Sequence, residues 1–159
     1  MSKQLQHLYL GKAGQFAVMS LFLVRGWNVA VPEVDIGDDI FVVSDENGEF
    51  VRVQVKTATG VKRQKSISAQ FSVPIEQLKR QYLPELSYCF MVWHDEHWQF
   101  PVIIARDILA NLFKSSAIGT EAANKLILYF SYQDGKIQCS GVDLSIYLND
   151  FSQFPPIPH

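Results

Sequence analysis

The stretch VDIGDDIFVVSDENGEFVRVQVKTATG, from Val34 to Gly60, collects reactive side chains on one side of a strand. Side chains two apart in an extended strand share a face. Val51, Val53 and Val55 therefore share one face, and Arg52, Gln54 and Lys56 the other. An amide and a lysine inside an apolar strand need a reason, and the acids upstream offer one. Asn47-Gly48 is a strong hairpin signal. If those two residues are the whole turn, Glu46 faces Glu49, Phe41 faces Gln54 and Asp39 faces Lys56. A four-residue turn puts Asp39 opposite Gln54, still on that face, whereas an odd loop or a bulge turns Asp39 away. With even parity a carboxylate, an amide and an ammonium come together. The two oxygen ligands suit a hard cation such as Mg²⁺, which keeps most of its waters. Such an ion polarises a phosphate and acidifies a bound water, and a lysine beside it positions that water or offsets developing charge. These parts suit phosphodiester hydrolysis. The same residues also fit a plain cross-strand ion pair on a solvated face, which stabilises little.

Several elements must hold these groups. Residues 9–25 read as a largely apolar helix closed by Gly26, which predicts deep packing against a sheet. Residues 27–32 read as a short strand, residues 39–44 and 50–58 as the hairpin strands, and residues 57–66 as a loop. A strand near residues 67–73 leads into a short helix from Pro74. A hairpin turns at Asp95-Glu96, a helix spans residues 106–115, and a further hairpin turns at Asp134-Gly135. Residues 143–151 predict a last helix, followed by an extended tail. This order indicates an α+β or α/β domain around one central mixed sheet.

Composition narrows the class. With 159 residues, 48% hydrophobic and 19% charged, the chain reads as one globular domain, residues 1–159. A net charge of −2 gives no global field for nucleic acid, so such binding needs a local basic patch. Cys89 and Cys139 lack disulfide or metal spacing and read as buried thiols, which fits a reducing cytoplasm. Residues 13–24 resemble a signal-peptide core only superficially, because Gln15 and Ser20 interrupt them and no cleavage site follows. No segment approaches the length of a membrane span.

Asp35-Ile36-Gly37-Asp38-Asp39 followed by Gln54-Val55-Lys56 resembles the PD-(D/E)XK nuclease superfamily, in particular its small bacterial domains with a D-x-G-x-D and Q-V-K signature. The helix GKAGQFAVMSLFLVRGW is similar to the one preceding that motif. The resemblance covers residues 11–57; beyond them only the order of elements matches. It implies a restriction-endonuclease-like fold, a central mixed sheet flanked by helices, and a Mg²⁺- or Mn²⁺-dependent DNA endonuclease. Carried over, Asp39 and Gln54 are metal ligands, Val55 lends its carbonyl and Lys56 is the catalytic lysine. Asp35 is an accessory acid, and Gln15 stands where many members carry a helix glutamate. DNA is the implied partner, and a homodimer is one way such enzymes cut both strands. Gln15 and Gln54 both replace acids. The alternative is therefore a catalytically degenerate module that binds nucleic acid or a protein.

Lys62, Arg63 and Lys65 follow the Gln-Val-Lys strand without an intervening acid and could touch a phosphate backbone. Arg52, Lys79 and Arg80 could extend that patch. His94-Asp95-Glu96-His97 reads as a turn rather than a metal site. Trp93, Trp98, Tyr88 and Phe100 read as core or cross-strand pairs. No Gly-rich phosphate loop and no nucleophile motif of the serine or cysteine hydrolase kind is present.

Overall fold

The computed structural model describes residues 2–34, 36–154 and 156. In chain order the elements are α1 (Lys3–Leu23), β1 (Asn28–Ala30), β2 (Ile40–Val43), β3 (Phe50–Thr59), β4 (Val61–Lys62) and β5 (Ile67–Pro74). Then come α2 (Ile75–Lys79), β6 (Leu86–His94), β7 (His97–Trp98), β8 (Val102–Ala105) and α3 (Arg106–Lys114). The chain closes with β9 (Thr120–Ala122), β10 (Lys125–Gln133), β11 (Lys136–Cys139), β12 (Val142–Asp143) and a 3₁₀ turn, Ser145–Tyr147.

The fold is mixed α+β. One sheet runs β1-β2-β3-β6-β7, with β8 also on β6. It is mixed because β3 and β6 run parallel and its other pairs antiparallel. A parallel pair needs a crossover, here β4, β5 and α2. The crossover and the terminal hairpin build a second, antiparallel sheet, β12-β11-β10-β5-β4 with β9 on β10, which the sequence pattern does not specify. The chain passes between sheets at Gly60. A Cβ there would stand 2.6 Å from Ile67 Cγ2 and 2.9 Å from Val92 Cγ1, so the bare backbone permits the approach.

Period two divides β3 as its alternation predicts. Val53 and Val55 lie in a core with Val18, Phe22 and Trp27 under α1. The opposite face meets the second sheet, where Phe71, Phe90 and Phe130 pack mutually edge-on or tilted. α1 packs less deeply than its apolarity predicts. It buries Gly14, Gln15, Val18 and Phe22, while Leu8, Tyr9, Phe16 and Leu23 are exposed. One face of a helix can touch one sheet, and the remaining apolar residues have nowhere to go.

Three further expectations are corrected. Residues 57–59 and 61–62 are strand, because β3 runs to Thr59 and β4 starts just past Gly60. Residues 144–151 hold only the 3₁₀ turn: Asp143 Oδ1 accepts from Ser145 N at 2.8 Å, a local bond that competes with a helix, and Ser145 Oγ accepts from Ile137 N of β11 at 3.0 Å. Trp93 and Trp98 pair as expected, with ring centroids 5.0 Å apart, and Tyr88 is core. Phe100, however, is 66% exposed. Trp93 faces Trp98 but Phe90 faces Val102, so residues 99–101 oppose only Met91 and Val92 and bulge outward. Cys89 and Cys139 are buried free thiols, and burial pushes Cys89 up to about 12. Among the described residues no helix is long and apolar enough to cross a membrane. Most of the proline-rich tail, residues 155 and 157–159, lies outside the described residues.

Arg106 ties α2, α3 and the start of β6 together. It donates to both carboxylate oxygens of Glu85, at 2.7 and 2.6 Å, and to the Leu78 carbonyl at 2.6 Å. Desolvation raises the Glu85 pKa, but hydrogen bonds from Arg106 and Leu86 and the guanidinium charge together leave it below its ordinary 4.5. A depressed folded pKa contributes stability above the unfolded value and loses it as pH falls through the folded one. The urea midpoint of the wild type should therefore exceed that of Glu85→Gln at pH 7, and the gap should close below the ordinary carboxylate pKa. Arg106→Ala should cost roughly 1–3 kcal/mol, discounted because Glu85 is partly exposed. A gap that persists unchanged in acid would refute the assignment.

Candidate functional site

The hairpin turn sets the register. Ser44 N donates to Glu49 O and Gly48 N to Ser44 O, both at 2.8 Å, while Asn47 Oδ1 accepts from Glu49 N at 2.9 Å. The Ser44–Glu49 closure makes Asp45 to Gly48 the turn, so Asn47-Gly48 is not the whole of it. Ile40 then pairs with Val53 and Phe41 with Arg52. Asp39 falls beside Gln54, the four-residue alternative, and not opposite Lys56.

Asp39 sits where β2 begins and β3 runs on past it. Its N–H still donates to Val53 O at 2.9 Å. Its Oδ2 takes the place of the missing strand: it accepts from Val55 N at 2.8 Å and from Gln54 Nε2. Gln54 Nε2 also lies 3.3 Å from the Val55 carbonyl. Carboxylate, amide and carbonyl thus converge at one end of the β2–β3 ladder. Lys56 follows on the same face two residues on, half-buried, in register with Phe90 of β6.

Two helices brace this corner. On the α1 side, buried Gln15 donates through Nε2 to the Asp39 carbonyl at 2.7 Å and accepts from Lys12 Nζ at 2.8 Å. On the α2 side, Gln77 Nε2 donates to Gly37 O at 2.6 Å and lies 3.3 Å from Gln54 Oε1. Gln77 Oε1 accepts from the hydroxyl of buried Tyr88 at 2.9 Å. Burial raises the Tyr88 pKa, so it stays a neutral donor. Gln77 and Tyr88 were not legible as site residues. Lys12 could have been found, because residues three apart on a helix are neighbours.

The other acids divide. Asp35 lies outside the described residues. Asp38 turns inward, its side chain fully buried and paired with Arg52 at 2.7 Å. Arg52 also lies over the Phe41 and Phe50 rings, so it belongs to this ion pair and not to a basic patch. Of the basic run, Lys62 and Lys65 line one cleft. Arg63 lines another depression, with His7, Gln70 and Tyr129. Strand alternation places Lys62 and Arg63 on opposite sides. His97 Nδ1 lies 2.6 Å from Asp95 O within the turn, and His94 Nδ1 lies 3.1 Å from Gly60 O, where the chain leaves β3.

Among the described residues no group of three or more histidines, cysteines and acids forms a metal cluster. A Mg²⁺ site needs only one or two carboxylates, the rest being water and phosphate oxygen. The donors around Asp39 fit that requirement. The Gln54 NH₂ group bridges the Asp39 carboxylate and the Val55 carbonyl, two acceptors that would otherwise face each other unscreened. Turned about its last bond, Gln54 would present Oε1 instead, and three oxygens would surround the same point.

No known family profile matches the chain, and no curated protein does. Among solved structures, that of a bacterial homing endonuclease, I-Ssp6803I, is similar, with a TM-score of 0.53 and 15% identity over 96% of this chain and 90% of that one. At that identity the likeness shows the fold: a curled mixed sheet with helices against it, the expected class.

Proposed function

We propose that this chain is a Mg²⁺- or Mn²⁺-dependent endonuclease-like protein of the PD-(D/E)XK kind that hydrolyses phosphodiester bonds in DNA. One observation carries the reading: the Asp39 carboxylate, the Gln54 amide and the Val55 peptide converge at a ladder end, with Lys56 next on that face. The fold likeness to a homing endonuclease supports it. Asp39, the Val55 carbonyl and a turned Gln54 would hold the ion. When bound, the ion would polarise the phosphate and acidify a water. Lys56 orients the attacking water and offsets charge on the phosphate oxygens. Gln15 fixes the Asp39 main chain from one side, and Gln77 fixes Gly37 from the other. The tests are nicking of supercoiled plasmid and cutting of linear DNA with Mg²⁺, Mn²⁺ or EDTA. Metal-dependent cutting supports the proposal, and inertness under all three conditions refutes it.

The second reading, a nuclease-fold module that binds without cutting, is favoured by Gln54 itself. Its amide already neutralises the acceptors that a cation would bridge. Gln54→Glu separates the readings. It sets two carboxylates side by side, which raises the pKa of one and destabilises the metal-free fold by roughly 1–3 kcal/mol. In the enzyme reading Mg²⁺ reverses that loss, and melting in Mg²⁺ rises well above melting in EDTA. Identical melting curves with and without Mg²⁺ would favour the binding module.

A further inference from the structure

Lys62 and Lys65, at the β4–β5 turn, share a cleft with Lys136, from the start of β11, and with Gln99 and Phe100, from the bulge between β7 and β8. Two segments far apart in sequence thus bring three ammonium groups to one hollow, and a third adds Gln99 and Phe100, in a chain whose net charge is −2. All three lysines are exposed. Asp134, the acid in the lining, lies 3.3 Å from its neighbour Gln133. Phe100 is 66% exposed, held out by the bulge, and supplies a free aromatic face. Gln99 and Gln133 supply amides that can donate and accept. Tyr132 also lines the cleft, with a buried hydroxyl that has no hydrogen-bond partner among the described residues. A buried polar group of that kind calls for a partner.

The lining of the cleft, more than its size, selects the ligand class. At about 250 Å³ it falls below the ~300–1,000 Å³ of pockets that enclose a whole small molecule. It suits one repeat of a longer polymer. Ammonium groups bind phosphate, an exposed aromatic stacks on a base, and amides meet base edges. Double-stranded DNA keeps its bases stacked on one another and offers no face to Phe100, so the fitting polymer has an unpaired nucleotide. Lys62 lies six residues after Lys56 in a nearly continuous strand, about 20 Å at most. A DNA strand that crosses Lys56 can therefore reach the cleft.

We propose that this cleft grips an unpaired DNA nucleotide, with Lys62, Lys65 and Lys136 on the phosphates and Phe100 against the base. The proposal rests on the reading of the chain as DNA-directed. It is tested by fluorescence anisotropy of labelled single-stranded and duplex oligonucleotides in EDTA, over a range of salt. The single strand should bind more tightly than the duplex. Phe100→Ala should weaken single-strand binding about tenfold, as loss of one stacked base does. Lys136→Ala should lower the salt slope by about 0.7. Lys114→Ala, on α3, should change neither. The cleft proposal fails if Phe100→Ala and Lys136→Ala leave affinity and slope unchanged. It fails also if the duplex is preferred, or if Phe100→Ala only splits a self-associated species in sedimentation. A chain that cuts no DNA but loses single-strand binding in these variants keeps the cleft and loses the nuclease assignment. Cutting that coexists with unaltered binding in the variants does the reverse.

Discussion

Lys56→Met and Asp39→Ala should each lower plasmid nicking by about two to four orders of magnitude. Methionine keeps much of the apolar stem of Lys56 and removes the charge, and the site is half-buried, so packing changes little. What disappears, in the proposed mechanism, is the donor beside the attacking water and the reacting phosphate. Asp39 acts twice in the proposed reading: its Oδ2 caps the Val55 N–H, and it would be the anionic oxygen of the proposed metal site. Asp39→Ala should therefore also lower stability, because Val55 N–H is left without that acceptor, at a cost of about 1–3 kcal/mol. The two variants separate chemistry from fold. Lys56→Met that melts like the wild type and nicks plasmid at the wild-type rate would remove the lysine from the mechanism.

Gly14→Ala should destabilise the chain although alanine is the better helix former. A Cβ at Gly14 would lie 2.1 Å from Thr57 Cγ2 and 3.4 Å from Trp98 Cη2. Thr57 is on β3, a ten-residue strand paired there with Met91 of β6, and cannot retreat. Overpacking of this kind costs about 1–3 kcal/mol, a fall of roughly 2–12 °C in Tm for a chain of this length. Thr57→Ser removes the offending methyl. Gly14→Ala with Thr57→Ser should recover the loss and add up to about 1 kcal/mol from helix propensity. The clash also bears on the site, because Gly14 precedes Gln15 and Thr57 follows Lys56. A displaced α1 carries the Gln15 amide away from the Asp39 carbonyl, so the single variant should lose cutting activity that the pair restores. A Gly14→Ala protein more stable than the wild type would show that α1 does not approach β3 so closely.

The alternation of Val51, Val53 and Val55 against Arg52, Gln54 and Lys56 is local, and it alone placed Gln54 and Lys56 on a common face. The hairpins at Asp95-Glu96 and Asp134-Gly135 and the helix of residues 106–115 were legible for the same reason. Turn chemistry and periodicity act over a few residues and need no partner. Which residue faces Asp39 hung on turn length, which the sequence left open between two and four residues. The Ser44–Glu49 closure decided it, and a turn of different length would have moved the carboxylate along the strand. The second sheet, the inward turn of Asp38 to Arg52 and the approach of Gln77 and Tyr88 depend on contacts between segments far apart in sequence. The basic cleft has the same origin. Lys62, Lys136 and Phe100 carry no common motif, and only the closing of β10 on β5 and the bulge after β7 put them in one hollow. Side-chain alternation is a property of each strand and register of each turn, whereas grouping follows from how the packed sheets close on each other.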